Sequence, residues 1–362
     1  MENIPATSTP SLSTLRHDRI AYVRGFTILG AVTLIGLYIA KWNPYYHKTF
    51  VAAAKHSLGA SIISGKSAVA PTPSLGAALS YAVTYFNAIW IALVVGLLMS
   101  ATIETLIPRE WIARVLGSPS VRSSALGGLL ALPGMMCTCC TAPVIVGMRK
   151  SGVSEGAAVT FFLGNPTLNP AVLVFLVFTL GWKWAVLRLV LGVALVVGAA
   201  ALAMRLTRGT SSAAVVLPEA RMPVPDQRHW LIRWFLALGR LVVSLIPEYV
   251  VIVLLLGAAR AWLFPASAIL HGTTLLVVIG LAIAATFFVI PTAGEIPIIQ
   301  TLLAFGLSTS AAGVLLLTLA PISAPSLAMV WRVFPKRVLI SIVGLTIVAG
   351  ILAGGIAFAL HL

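Results

Sequence analysis

Charge is what this sequence has least of. Asp, Glu, Lys and Arg make up 9 % of its 362 residues, against roughly a quarter in a soluble domain. So few cannot cover a water-facing surface, which excludes a soluble globular fold. Acids are scarcer still, nine against 24 basic residues, for a formal net charge of +15. Cysteine is confined to Cys137, Cys139 and Cys140. None is left to staple an extracytoplasmic loop, so a disulfide framework is excluded. The apolar residues run continuously instead of alternating, which excludes a transmembrane β-barrel. With 59 % hydrophobic residues, disorder and coiled coil fall as well.

What is present is apolar sequence in long runs: 20–40, 78–106, 123–148, 156–180, 184–205, 232–263, 273–304, 310–331 and 338–360. Mean hydropathy is +1.04. Runs of about 20 residues read as membrane helices, so the expected class is an all-α polytopic membrane protein. Residues 1–19 are polar and read as a disordered cytoplasmic N-terminus. The run after them lacks a small-residue cleavage site and reads as an uncleaved helix.

Two runs are punctuated mid-way. The third holds Pro133-Gly134 and the cysteines, and the seventh holds Pro291, Gly294-Glu295 and Pro297. Lipid-exposed backbone at such a break would lack hydrogen-bond partners, so protein or a water-filled cavity must satisfy it. Both runs are therefore expected to be re-entrant hairpins.

The positive charge sets orientation. In a soluble protein it would suggest nucleic acid, but here it clusters in short segments between apolar runs, and no nucleic-acid partner is expected. With the N-terminus cytoplasmic, 16 basic residues fall inside, in 1–24, 107–122, 149–155, 204–233 and 332–337. Seven fall outside, Lys41, Lys48, Lys55, Lys66, Lys183, Arg188 and Arg260, and Arg240 is expected near the cytoplasmic interface. The four lysines of 41–76 fit this topology least well.

A repeat accompanies the topology. Residues 142–157 align with 296–311 at an offset of 154, matching Pro143 to Pro297, Gly152 to Gly306 and Ser154 to Ser308. One insertion later, Asn165-Pro166 through Asn169-Pro170 meets Ala320-Pro321 through Ala324-Pro325. The division read from this is an extra helix and external loop in 20–76, repeat one in 77–206, a cytoplasmic linker in 207–231 and repeat two in 232–362. Under the charge-derived topology the second repeat is inverted, and the hairpin tips meet near the bilayer midplane. Inverted repeats with broken helices are the architecture of secondary transporters. The prolines at 166, 170, 321 and 325 remove backbone donors beside each tip and free carbonyls for a solute or ion.

Cys137-Thr138-Cys139-Cys140 is the strongest local pattern. Thiolates suit thiophilic species, and trivalent arsenic and mercury belong with them by softness. Sulfurs on one unwound turn can converge on one centre, with Cys137 and Cys139 the expected ligands and Cys140 a third. Read structurally, the same cysteines are small apolar residues. Glu295 is the one acid inside the second hairpin. A carboxyl at bilayer depth is a functional candidate, and low dielectric helps it hold a proton, so it is the candidate proton-coupling group. Satisfaction by a half-helix N-terminus is the bland alternative. Asn165, Asn169, Thr292 and Ser323, with Ser326 behind them, complete the candidate solute-binding set. Glu104 and Glu248 read as interfacial. Residues 59–67 imitate a P-loop with five residues between the glycines where four are needed. No strand precedes them, so neither ATP nor any other cofactor is expected.

These residues carry a resemblance. The run Pro133-Gly-Met-Met-Cys-Thr-Cys-Cys-Thr-Ala-Pro143, then Lys150, Gly152 and Asn169-Pro170, resembles the predicted permease family that includes the organoarsenical efflux permeases. More loosely it covers 80–205 and 235–360. Cys140 departs from the pattern, where the family has a small residue. The resemblance implies a permease, and for some members export of trivalent organoarsenicals. The expected partners are thus a small solute or ion and the lipid bilayer. Two other classes stay open: a thiol–disulfide oxidoreductase using Cys137 and Cys140, whose spacing is that of a redox pair, and a solute channel built on the same broken helices.

Overall fold

The computed structural model describes residues 12–65, 70–208, 229–264 and 275–362. Expectations for residues 1–11, for Lys66-Ser67 of the P-loop look-alike and for Arg221 and Arg228 of the linker lie outside the described residues. Among the described residues every regular element is helical, apart from one isolated bridge between Ser61 and Gly65.

The first helix differs from its expected bounds at both ends. Helix α1 (Leu12–Leu37) passes through a π-helical turn (Tyr38–Trp42) into α2 (Asn43–Lys55). Pro44 lacks an N–H and would normally interrupt the ladder. The wide turn absorbs it, because the Asn43 N–H reaches back to the Tyr38 carbonyl and the chain continues as a helix. Lys41, Lys48 and Lys55 therefore sit on helix, not in an external loop.

Among the described residues six stretches are long and apolar enough to cross a membrane: Tyr22–Lys55, Leu75–Leu106, Glu155–Thr179, Trp182–Leu206, Trp230–Leu263 and Lys336–Ala359. The first half comprises α3 (Leu75–Leu106), α4 (Arg109–Leu116), α5 (Val121–Ala131), α6 (Thr138–Lys150), α7 (Glu155–Thr167), α8 (Pro170–Thr179) and α9 (Trp182–Leu206). The second comprises α10 (Trp230–Leu263), α11 (Leu275–Phe287), α12 (Glu295–Ala304), α13 (Thr309–Thr318), α14 (Ala324–Val330) and α15 (Lys336–Ala359).

The last three helices of each half begin at matching positions. Starts at Glu155, Pro170 and Trp182 recur at Thr309, Ala324 and Lys336, each 154 residues on (309 − 155, 324 − 170 and 336 − 182). No insertion is needed. What aligns in the proline region is the helix caps, Asn169 with Ser323, so Pro170 is the first residue of α8 and Pro325 the second of α14. Gly152 and Gly306 share a left-handed φ of +94° and +95°, which an L side chain rarely adopts. Ser154 and Ser308 then cap α7 and α13 by accepting from the N–H three residues on, the side-chain geometry that satisfies orphan donors.

The first broken run folds back on itself. Ser123 at the start of α5 lies 3.3 Å from Ser154 before α7, while Gly134 beyond its end meets Asn165 at the far end of α7. Hence α5 runs alongside α7 in the same direction, and α6 leads back from tip one to the start of α7. In the second half α11 and α12 both pack on α13. Helices approach closely: a Cβ on Gly96 of α3 would lie 2.3 Å from the Cys140 carbonyl, the small-residue contact typical of membrane bundles.

The basic segments gather at one end. Arg24 stacks on Trp230, Arg233 donates to the Thr105 carbonyl, Ser154 N–H to Leu116, and Arg149 Nε to Val333. At the opposite end His56 Nδ1 contacts the Phe178 carbonyl, Gln300 donates to His56 and Thr179, and Arg260 donates to Ile62.

Candidate functional site

The two breaks meet. Tip one is the 3₁₀ turn Leu132–Gly134 and the extended link to Cys137, which caps α6. Tip two is the stretch 288–294 before α12. Thr138 Oγ1 and Cys139 Sγ each lie 3.4 Å from Ser323 Oγ, and Thr292 is within hydrogen-bonding reach of the Cys137 thiol. Cys137, Cys139, Cys140, Asn165, Asn169, Glu295, Ser323 and Ser326 are all buried.

The sulfurs are arranged differently from the expected single unwound turn. The helix begins at Thr138, so helical spacing decides which side chains share a face. Cys137 and Cys140, three apart, bring their sulfurs to 3.0 Å. Cys139 turns away to Ser323 and to the hydroxyls of Tyr85 and Tyr249, which hydrogen-bond each other at 2.7 Å. All three are free thiols. Among the described residues no group of three His, Cys, Asp or Glu side chains could hold a metal ion.

Asn165 locks tip one. Its Nδ2 donates to the Phe161 carbonyl at 2.9 Å and its Oδ1 accepts from Met136 N–H at 3.4 Å. A Cβ on Gly134 would sit 2.2 Å from that Oδ1, so a side chain there must displace the Asn165 amide. Asn169 caps α8 through its Oδ1, while its buried Nδ2 and the Thr167 hydroxyl have no partner. The prolines act unevenly. Pro133 and Gly134 form the 3₁₀ turn and Pro291 the second tip, with Gly294 capping α12. Pro166 lies in the last turn of α7, Pro297 in the first turn of α12 and Pro321 in the α13–α14 link. Pro143 lies inside continuous α6 and breaks nothing.

Two site residues went unnoticed in the sequence because hydropathy places both toward the outside. Arg188, from α9, is 1 % exposed. It forms an ion pair with Glu295 at 2.7 Å and donates to the carbonyls of Pro166, Thr167 and Leu316 at 2.9, 3.2 and 3.3 Å. The carbonyls freed by the α7–α8 break are thus taken up by a guanidinium, whose planar fork suits several acceptors at once. Glu295 has a cationic partner beyond the helix N-terminus it occupies. Lys41 is the second: it is 4 % exposed, and its Nζ donates to Thr292 at 3.0 Å and Tyr45 at 3.2 Å. A lone lysine among otherwise uncharged turns of an apolar helix was the available signal. The other two acids singled out in the sequence lie apart: Glu104 bridges Lys150 at 3.3 Å and Arg240 at 3.8 Å, and Glu248 is exposed near the middle of α10, not at its end.

The family described as "Predicted permease" matches residues 20–156 and 74–358. The chain is 45 % identical to UPF0718 protein YraQ of Escherichia coli (strain K12) over 331 residues, 90 % of this chain and 92 % of that protein. Shorter matches reach UPF0718 protein YcgR of Bacillus subtilis (strain 168), 28 % identical over 29 % of this chain and 37 % of that one. Another is UPF0718 protein MJ0584 of Methanocaldococcus jannaschii, 28 % identical over 28 % of this chain and 29 % of that one. No solved structure matches.

Proposed function

The chain belongs to this predicted permease family, and from that premise we propose that it is a secondary-active permease exporting a small thiophilic solute, such as a trivalent organoarsenical, across the cytoplasmic membrane. The observation that carries the reading is the set of buried thiols at the meeting point of two helix breaks, one from each half of the chain. Soft sulfur ligands suit that solute class. With methylarsenite, two S–H and two As–OH bonds exchange for two As–S bonds and two waters, with no electron transfer.

Alternating access then follows from an inverted repeat, with the basic end cytoplasmic. Support comes from the constant offset of 154 between helix starts and from the ends at which matching segments lie: Arg149 of α6 belongs to the basic end, Gln300 of α12 to the other. Glu295 is the proton-coupling group in this reading. Its protonation would remove the charge that holds Arg188 and loosen tip two. Uphill export should fail in Glu295→Gln while exchange down a gradient persists.

The test is export of methylarsenite by cells producing the chain. Cys137→Ala is expected to abolish it, and Cys140→Ala to lower it about tenfold or more. Cys137→Ala combined with Cys139→Ala should export nothing, and unchanged export in that double variant overturns the thiol role. Thiol–disulfide exchange draws on the 3.0 Å sulfur separation, but both sulfurs are buried and no partner thiol could reach them without opening the bundle.

A further inference from the structure

The first helix brings to the site a charge that neither repeat supplies. Its π-turn lies near the middle of the 34-residue span Tyr22–Lys55. From that turn Trp42 Nε1 donates to the Pro133 carbonyl of tip one at 2.8 Å, and the neighbouring Lys41 donates to Thr292 of tip two. One helical turn therefore touches both breaks. An ammonium has three N–H donors, and Tyr45 and Thr292, both neutral, accept from two of them. The charged and titratable groups that act on Lys41 are Tyr45 and the exposed Lys48 from its own helix, and Cys137 and Cys140 from α6. No carboxylate is among them. The other charges at the site, Arg188 and Glu295, balance each other. The buried centre thus holds an ammonium with no carboxylate partner, an unfavourable state inside a membrane protein, and the groups beside it that can carry the opposite charge are the Cys137 and Cys140 sulfurs and the Tyr45 hydroxyl. It rests on a π-turn, a distortion frequent at functional sites.

We propose that Lys41 is a solute-binding group whose ammonium takes up one negative charge at the cysteine cluster, brought by an anionic thiophile or carried by the attacking sulfur as a thiolate before it bonds a neutral one, the thiol proton leaving with an As–OH as water. The inference rests on the thiophile-permease reading and narrows its substrate class by charge. It also assigns the helix outside the two repeats a part in binding.

Everted membrane vesicles carrying the full chain test it, with uptake of methylarsenite (neutral) and selenite (a monoanion near neutral pH) measured by mass spectrometry. Lys41→Met should lower uptake of at least one probe about tenfold or more, while Lys41→Arg, which keeps the charge, stays within about threefold of the parent. A loss confined to selenite assigns the charge to the solute, and a loss for methylarsenite assigns it to the sulfur. Lys41→Met should also melt at a higher temperature than the parent, because it removes a buried ammonium that has no carboxylate partner. Parental uptake of both probes in Lys41→Met overturns the proposal. So does a variant that melts lower or never reaches the membrane, since Lys41 is then a structural strut. If the parent chain moves neither probe, the thiophile reading falls instead, and the melting comparison alone decides whether the buried ammonium destabilises the fold.

Discussion

Glu295 and Arg188 have side-chain exposures of 2 % and 1 % and meet at 2.7 Å, and their unequal bonding makes a graded prediction. At an effective dielectric of about 20, two unit charges at that separation attract by about 6 kcal/mol. Much of this offsets desolvation, and removing one partner of a buried pair costs roughly 3–5 kcal/mol. Glu295→Gln should incur that loss, a drop of more than a hundredfold in the folding equilibrium at about 1.4 kcal/mol per decade. Arg188→Met should be worse. Beyond the unpaired carboxylate, it strands the carbonyls of Pro166, Thr167 and Leu316, each at about 1–3 kcal/mol. The double variant keeps the stranded carbonyls but no buried charge, so it should be at least as stable as Arg188→Met alone. Thermal melting of the detergent-purified chain, followed by tryptophan fluorescence and size exclusion, ranks the variants: parent, then Glu295→Gln, then the double variant at or above Arg188→Met. Equal losses in the two single variants that simply add in the double would refute the reasoning, because the side chains would then act independently.

Other consequences follow from tip packing. Gly134→Ala places a methyl 2.2 Å from Asn165 Oδ1 and should destabilise by about 1–3 kcal/mol, read as a lower melting temperature. A chain as stable as the parent would show that the tip yields freely. Ser323→Cys sets a thiol within reach of Cys139, whose sulfur is now 3.4 Å from the serine oxygen. Mild oxidation should then join the two halves, visible as a mobility shift on gels after cleavage in the linker, and should stop export until reductant is added. Absence of the cross-link would separate tip one from α14.

Much of the architecture was legible because membrane insertion writes simple rules into sequence. Apolar runs, proline and glycine punctuation and basic clusters marked the spans, both breaks and the segments sharing one end. The match of Gly152 to Gly306 and Ser154 to Ser308 marked the repeat, because a left-handed residue and a helix cap each admit few side chains. The single insertion placed near the second proline pair was a mismatch of residue type. The caps keep the offset, since backbone hydrogen bonding aligns elements where prolines need not.

The site was legible only in outline. A cysteine cluster beside Pro133-Gly134 could be placed at a break, but which sulfurs face each other depended on where α6 begins. Helix from Thr138 onward joins Cys137 to Cys140 and sends Cys139 to the other half. Lys41 and Arg188 count as outside in the charge-derived topology because one follows the first apolar run and the other lies near the start of the run 184–205. A π-turn carried one inward, and a neighbouring helix break gave the other its carbonyls.

Taken alone, the sequence determined that this chain lives in a membrane, that two of its helices break, and that its thiols and one of its scarce acids lie at those breaks. These are properties of composition and local order, which solvent and backbone chemistry impose residue by residue. Only the tertiary structure decided that a lysine of the first helix faces the cysteines and that Arg188 holds Glu295. The contacts that hold them, Lys41 to Thr292 and Arg188 to Glu295, join positions 251 and 107 residues apart (292 − 41 and 295 − 188). A burial cost that excludes a lone charge is known from sequence, but the partner that permits it is supplied by packing.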